Sequence, residues 1–390
     1  MSLWRRISAS TNLFPEGEQY VVVHSFISST TDNDLNLIAY PFDSVNGFGD
    51  RLVPVEFIGD GTAPSGRIAF APNGTGVATT AGAFIPEVGD FGLISYGWDE
   101  GFGSQNLSGV KARGIQNVAF HPDGDVVFTS HAENTSTSRV YAHSWSNTIG
   151  YAGTRSSTDN LGGARNYLVI SVSPNGQFVA AGYDNSVNLA VFPFDKTTGF
   201  GAKVEPSSDP ISDQDGTVFD ITWNNAGTYI ALSCGTNNPE KRLHIWEWNN
   251  ATGTLGSKVA NVSIEPDYVD GTTGTVYTAA FAPDDKAIIV GFAGSLRDEI
   301  QAYSWDNSTG TFGSKYPAPA AAPNGVPRDL RFNANGNVLF ASGGSGADAP
   351  ITAYQWDSET GFGIKYDNPD STGTSGPGYN AYSIDYINLG

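Results

Sequence analysis

One short pattern recurs seven times along the chain, at intervals of about fifty residues. Each copy has two ring side chains two positions apart, then Asp, Asn or Ser, then a glycine-rich turn. The copies begin at Tyr40, Tyr96, His143, Phe192, Trp246, Tyr303 and Tyr354. The glycines that close the turns lie 54, 50, 48, 55, 57 and 50 residues apart. A period of this length with one strand-like signature per unit predicts a repeat architecture.

A second pattern stands in register with the first. It is an alternating apolar strand that ends in a Pro-Asp/Asn-Gly turn and is followed by another apolar strand. Examples are Phe120-His-Pro-Asp-Gly124 and Val172-Ser-Pro-Asn-Gly176. Proline presets φ at such a turn, and glycine supplies the positive φ that closes a hairpin. Each unit therefore reads as four antiparallel strands, A to D, with these short turns joining A to B and C to D.

Seven such units predict an all-β fold, a seven-bladed β-propeller of four-stranded antiparallel blades. Residues 383–390 match a strand A, whereas 18–23 match a strand B. We therefore predict a ring closed by the C-terminal strand pairing with the N-terminal blade, which leaves no free sheet edge. The predicted domains are an N-terminal arm (1–16) and the propeller (17–390), with blade 1 made of 17–58 plus 380–390. In the alternative, residues 11–17 supply that strand A.

Composition and charge exclude several classes of partner. The formal net charge is −20, and affinity for nucleic acid or anionic membranes comes mostly from Lys and Arg contacts to phosphate. No stretch approaches the roughly 20 apolar residues of a membrane span. The N-terminus carries charge but no apolar segment of the signal-peptide kind. We therefore predict no nucleic-acid partner, no membrane insertion and no Sec-dependent secretion.

Candidate binding residues lie where the repeats differ. The A–B and C–D turns share one face of the ring, the uniform face, whereas the B–C and D–A loops vary and share the other, the variable face. Four arginines near the starts of strands A could ring the mouth of the axial channel on the variable face and grip an anion: Arg67, Arg113, Arg165 and Arg328. Alternatively, they pair with local carboxylates. The five histidines lack metal-ligand spacing and no nucleophile or phosphate-binding motif occurs, so we predict no catalytic residue, cofactor or metal.

The units resemble two known propeller families. Trp-Asp ends strand C in three copies, as in WD40 repeats, although the Gly-His dipeptide typical of WD40 is absent. The strands also resemble those of the seven-bladed lactonases, in which an Arg and a His of a Gly-Pro-Arg-His segment serve the lactone. The nearest match is the segment 325–329, which has Arg328 but carries Asp329 where the His belongs. The resemblance covers about residues 17–390 and implies the propeller fold, with lactonase activity as one possible function.

The composition resembles that of tailed-phage structural proteins, because it is acidic, rich in Gly, Thr and Asn, and contains one Cys and one Met. The basic-aromatic cluster of Trp4, Arg5 and Arg6 could dock the arm on a larger assembly. We therefore predict a non-enzymatic structural or binding propeller, a phage virion structural or surface protein that decorates the particle or recognises a host. Its partners would be other protein subunits, or a host receptor or glycan. The alternatives are a lactonase-like hydrolase and a cytoplasmic WD40-type interaction scaffold.

Overall fold

The structure is a computed structural model in which fourteen segments of the chain are described. They are 19–26, 37–53, 67–80, 92–106, 114–134, 137–161, 168–183, 189–206, 217–235, 242–259, 275–293, 299–343, 351–369 and 380–389. The predicted arm (1–16) and the alternative strand at 11–17 lie outside these residues. None of the described segments contains a helix long and apolar enough to cross a membrane.

The described segments form twenty-eight strands. In chain order they are β1 (Gln19–Phe26), β2 (Leu37–Asp43), β3 (Gly47–Phe48), β4 (Ile68–Phe70), β5 (Gly76–Thr80), β6 (Leu93–Trp98), β7 (Phe102–Asn106), β8 (Ile115–Phe120), β9 (Val126–Asn134), β10 (Thr137–Ser146), β11 (Gly150–Ser157), β12 (Leu168–Val172), β13 (Phe178–Tyr183), β14 (Leu189–Asp195), β15 (Gly199–Phe200), β16 (Thr217–Trp223), β17 (Tyr229–Gly235), β18 (Leu243–Asn249), β19 (Thr254–Lys258), β20 (Thr275–Phe281), β21 (Ala287–Ala293), β22 (Ile300–Asp306), β23 (Thr311–Lys315), β24 (Asp329–Phe332), β25 (Val338–Ser342), β26 (Ile351–Asp357), β27 (Gly361–Lys365) and β28 (Asn380–Asn388).

These strands form seven sheets of four antiparallel strands each, as the repeat predicts. Blades 2 to 7 each use four consecutive strands as A, B, C and D, beginning with β4, β8, β12, β16, β20 and β24. Blade 1 has the order β28-β1-β2-β3, so its inner strand A comes from the C-terminus. The predicted all-β, seven-bladed architecture is confirmed.

The closing strand β28 pairs with β1 over nearly its whole length. Val21 lies opposite Tyr386 and Val23 opposite Ile384. On the same strand Ala381 and Ile384 are fully buried. The predicted closure is therefore confirmed, because both ends of the described chain contribute strands to one blade.

An apolar cluster fills each boundary between neighbouring blades. The two ring positions of each strand C signature face the preceding blade, because residues two apart in a strand share one side of the sheet. Trp98 of blade 2, for example, packs edge-on against Tyr20 of blade 1 with ring centroids 5.2 Å apart. Trp305 of blade 6 meets Tyr229 of blade 5 in the same way at 5.1 Å. The repeated aromatic pair of strand C therefore provides the packing contacts between neighbouring blades.

The A–B turns need a positive φ at their last residue. Glycine provides it in five described blades, as at Gly124 with φ of 75°. Blade 6 instead has Asp285, with φ of 55°. Its carboxylate accepts hydrogen bonds from the backbone N–H groups of Asn225 and Ala226 in blade 5, both at 2.7 Å. These contacts between blades offset the backbone strain of a side chain in the left-handed region.

Candidate active site at the propeller axis

Alternation along the inner strands decides which side chains meet at the axis. One set of alternate residues, which includes Ile68, Ile221 and Leu330, is buried against the preceding blade. The residues between them face the following blade at the axial edge. In each strand A, one such residue comes just before the buried apolar position. From blade 2 to blade 7, and then blade 1, these residues are Arg67, Asn117, Val169, Asp220, Thr278, Asp329 and Ser383. The ring therefore brings two carboxylates, two hydroxyl groups and a guanidinium to one level of the axis.

Asp329 is the centre of this level. Its Oδ2 accepts hydrogen bonds from the Ser383 hydroxyl at 3.0 Å and the Ile384 N–H at 3.1 Å, both on blade 1. Arg67 of blade 2 places Nη1 3.4 Å from the same oxygen, and Arg331 places Nη1 3.1 Å from Oδ1. The Asp329 side chain is 0% exposed. With both oxygens engaged, Asp329 joins blades 7, 1 and 2.

Arg67 crosses the axis. While its Nη1 contacts Asp329 of blade 7, its Nη2 donates a hydrogen bond to the Phe219 carbonyl of blade 5 at 3.1 Å. Blades 2 and 5 are not neighbours in a ring of seven, so a side chain can join their inner strands only by spanning the centre. The guanidinium of Arg67 therefore forms a floor across the channel.

Beyond this floor, toward the uniform face, lie Arg331 and Asp385. The Asp385 Oδ2 accepts the Phe70 N–H at 2.7 Å, and its Oδ1 is 3.7 Å from Arg331 Nε. Burial raises the pKa of Asp385 to about 6, although the Arg331 charge acts in the opposite direction. Burial by itself would lower the pKa of Arg331. The pKa is nevertheless raised, because the negative charges of nearby carboxylates, Asp329 first among them, outweigh the effect of burial.

Asp220 repeats the binding mode of Asp329 on another pair of blades. Its Oδ2 accepts the Thr278 hydroxyl at 2.8 Å and the Ala279 N–H at 3.4 Å, both on blade 6. Burial and, second, the charge of Asp329 raise the pKa of Asp220. Like Asp329, it satisfies backbone and hydroxyl donors of the following inner strand. Both carboxylates are therefore structural links between blades.

On the variable-face side of the floor lies a partly exposed group that we call the aromatic mouth: Phe219, Tyr277, Arg328 and Tyr382. The Arg328 guanidinium stacks over the Tyr277 ring at 3.7 Å and lies 5.8 Å from the Tyr382 ring. Phe219 meets Tyr277 edge-on with centroids 4.8 Å apart. Aromatic faces beside a guanidinium can take up a flat or ring-shaped ligand that carries an anionic or carbonyl oxygen.

Of the predicted site residues, the structure places Arg67 and Arg328 at the axis. Arg67 pairs with a carboxylate, as the alternative interpretation holds, whereas the described contacts of the Arg328 guanidinium are with aromatic rings. Arg113, Arg165 and the predicted docking residues Trp4, Arg5 and Arg6 lie outside the described residues. The anion grip therefore stays a prediction.

The sequence interpretation did not identify Asp220, Arg331 and Asp385 as axial residues, or the tyrosines of the mouth. A signal for the charged residues was available in the repeat alignment. Where Arg331 and Asp385 stand, the other blades have Ala69, Ala119, Ser171, Thr222 and Ala280. Two charged residues at a position otherwise occupied by small side chains mark the part of the axis that departs from the repeat.

A second titratable cluster lies on the uniform face, where His121, Asp123 and Asp125 bring potential ligand atoms within 4.8 Å of one another. The cation that these carboxylates bind in the structure is the ammonium of Lys196, which contacts Asp123 and lies 2.8 Å from Asp125 Oδ1. The Nδ1 of His121 accepts the Asp123 N–H at 3.1 Å. Burial and, second, the Lys196 charge lower the pKa of His121. The cluster therefore joins blades 3 and 4 through an internal cation.

Comparison with known proteins supports the fold. No protein-family model and no curated protein sequence matches the chain. Among solved structures, the periplasmic gluconolactonase of Pseudomonas aeruginosa is similar, with 14% identity and a TM-score of 0.69 over 96% of this chain and 100% of that one. A candidate 6-phosphogluconolactonase from Bacteroides uniformis has 13% identity and a TM-score of 0.65 over 95% and 100%. The propeller domain of Cps50 (Swd1) from Myceliophteria thermophila has 12% identity and a TM-score of 0.50 over 78% and 86%.

These neighbours correct the functional prediction. The chain has a seven-bladed propeller fold with lactonase-type and WD40-type structural neighbours, as the strand resemblance implies. The prediction of a tailed-phage virion protein is wrong, because the similar structures favour the lactonase alternative. It rested on composition and on the basic-aromatic cluster of the arm, and a high content of Gly, Thr and Asn is typical of any chain with many short strands and turns. The prediction of a non-enzymatic protein rested on the absence of recognisable catalytic motifs and gains no support from these neighbours.

Proposed function

We propose that the protein is a lactonase-like hydrolase that binds a sugar lactone in the aromatic mouth and opens its ring. The observation that carries the proposal is the position of Arg328. It stands where the lactonase resemblance places the catalytic arginine, and its guanidinium is held against Tyr277 and near Tyr382 on the partly exposed side of the axial floor. The fold of the solved lactonase-type structures supports the same assignment.

The mouth suits the chemistry of ring opening. Water attacks the lactone carbonyl carbon, negative charge develops on the carbonyl oxygen, and the bond from that carbon to the ring oxygen breaks. The proton lost by the water replaces that bond on the ring oxygen, and the new carboxylic acid releases one proton to solvent. A guanidinium in a partly dehydrated site stabilises the developing oxyanion, and the aromatic faces orient the sugar ring.

Asp329 replaces the histidine of the lactonase segment and does not serve as its base. Both of its oxygens already face donors, and the Arg67 floor lies against it. The site therefore contributes orientation and charge stabilisation, and solvent carries the proton of the attacking water to the ring oxygen. We expect a modest acceleration, about 10²- to 10³-fold over spontaneous hydrolysis, which is the scale of one well-placed oxyanion donor.

Acid release measured in a pH-stat tests the proposal with D-glucono-1,5-lactone and its 6-phosphate as substrates. Arg328→Ala is expected to lower the enzymatic rate about 100-fold, because it removes the oxyanion donor. Arg328→Lys should recover part of it. The matched control is Arg155→Ala, which removes an outer-strand arginine that binds Ser144 Oγ at 2.7 Å and the Lys196 carbonyl at 3.3 Å. A wild-type rate equal to buffer alone, or equal activity in Arg328→Ala, contradicts the proposal.

A further inference from the structure

Blade 3 departs from the repeat inside its packed sheet. His143 occupies the first ring position of the strand C signature, where the other six blades have Tyr, Phe or Trp. Thr129, two residues beyond the strand B partner of His143, stands where five of the other six blades have Val, Leu or Ala. His131 follows two residues later, on the same side of the sheet. The part of this boundary nearer the variable face therefore holds two imidazoles and a hydroxyl group.

These side chains form a continuous hydrogen-bonded chain. The Thr129 hydroxyl lies 2.6 Å from His131 Nε2 and 2.7 Å from His143 Nε2. On its other side, His143 Nδ1 lies 3.0 Å from the Thr154 hydroxyl, which is 3.2 Å from the Tyr151 hydroxyl. The chain therefore runs from strand B across strand C to strand D. We call these five residues the histidine chain.

The number of protons available for hydrogen bonding determines which charge state the histidine chain can hold. A hydroxyl has one proton, so Thr129 donates to one imidazole and accepts from the other, which suits two neutral histidines. A further proton leaves either a hydroxyl without an acceptor or a cation without a counter-ion. His131 is 1% exposed and His143 0%, so no water shell offsets that cost. Burial lowers the pKa of His131 to about 3 and that of His143 to about 4.

No carboxylate is among the side chains that the structure describes on the strands around the histidine chain, and Glu133, near the end of β9, lies outside those described side chains. The titratable or charged side chains described on β10, β11 and the facing strand β6 are Arg139, Tyr141, Tyr151, Arg155 and Tyr96. The described residues of β4, β5, β8 and β12 contribute none. Arg139 lies directly opposite His131 in the β9–β10 register. The chain is satisfied only while both imidazoles are neutral.

We propose that the histidine chain makes the boundary between blades 2 and 3 an acid-sensitive seam, at which proton uptake releases strands β9 to β11 while the other blades stay folded. Local opening exposes both imidazoles, which then titrate at their ordinary value near 6.5. At about pH 5 each exposed imidazole favours the open form about 30-fold, a ratio that follows from that reference value. Neither step depends on the axial site.

Hydrogen exchange read by mass spectrometry tests this proposal in the full chain. Protection factors, corrected for intrinsic exchange, are compared at about pH 7 and about pH 5. We expect peptides within 126–157 to lose protection at least about 30-fold, whereas the equivalent peptides of blade 6 (287–315) change less than about threefold. A loss shared equally by all blades, or no loss in blade 3, would overturn the proposal.

The double variant His131→Gln with His143→Gln keeps hydrogen-bonding groups but cannot take up the proton. It should show the same blade 3 protection at both pH values. His244→Gln, at a fully buried histidine of blade 5, is the matched control and should retain the wild-type acid response. If the double variant does not fold, ¹³C-labelled histidine in the wild-type chain gives the answer by NMR. Signals assigned to His131 and His143 that stay neutral to about pH 5 support the proposal, and titration of both near 6.5 refutes it.

Discussion

Deleting residues 380–390 is expected to leave a chain with no stably folded monomer. The deletion removes β28, the inner strand of blade 1, whose Ile384 is fully buried and whose Ile387 is 6% exposed. Burial of two such side chains contributes about 3–6 kcal/mol, before the lost ladder to β1 and the contacts of Ser383 and Asp385 are counted. Domains of this kind have net stabilities of about 5–15 kcal/mol. Far-UV circular dichroism and urea unfolding measure the loss.

The matched control deletes only residues 389–390, beyond the last paired residue of β28. Leu389 is 37% exposed, so this change should shift the unfolding midpoint only slightly. Adding a synthetic peptide of residues 379–390 to the longer truncation should restore cooperative unfolding, because the peptide can supply the missing strand. Unchanged stability in the longer truncation would contradict the role of β28 in closing the ring.

The architecture was predictable because short sequence patterns within each unit determine its strands and turns, and these patterns recur in all seven units. The aromatic pair of strand C, the turn glycines and the alternating strands identify each unit. A unit with an atypical residue is still recognised because the other six share the pattern. Closure followed from matching the last segment to a strand A and residues 18–23 to a strand B. Asp285 was harder, because its positive φ is supported by donors on another blade.

The axial site was only partly predictable, because its contacts exist only after the ring has closed. Arg67 and Asp329 are 262 positions apart, and Arg67 reaches Phe219 across 152. No local pattern relates these residues. The arginines were noticed by their place before strand A, but their partners depend on which blades face one another across the axis. Asp329 was noted only as a replacement for histidine.

Function was least predictable, because composition describes surfaces and turns rather than a site. The same acidic, glycine-rich chain suits a virion protein, a scaffold or a hydrolase. His143 is a second case in which the sequence did not reveal a residue's contacts. The sequence interpretation treats it as a satisfied structural histidine. Its connection with Thr129 and His131 requires the β9–β10 register, which places Tyr141 opposite Thr129 and His143 opposite Val127.

Replacing Asp329 with alanine is expected to destabilise the protein by about 3–5 kcal/mol, which is the usual cost of removing one partner from a buried ion pair. The change leaves the guanidiniums of Arg67 and Arg331 without their shared carboxylate, and the Ser383 hydroxyl loses its acceptor. Urea unfolding should show a lower midpoint with an unchanged slope, since the surface exposed on unfolding stays the same.

Two further variants separate this effect from a general loss of an acidic residue. Asp357→Ala removes an exposed carboxylate whose described hydrogen bonds come from N–H and hydroxyl groups of its own turn, and should lower the unfolding midpoint far less than Asp329→Ala. Asp329→Ala combined with Arg67→Ala should cost less than the sum of the single changes, because the second removes a charge that the first left unpaired. Strict additivity, or a loss below about 1 kcal/mol for Asp329→Ala, would mean that water already screens these charges and that the axial floor does not hold the blades together.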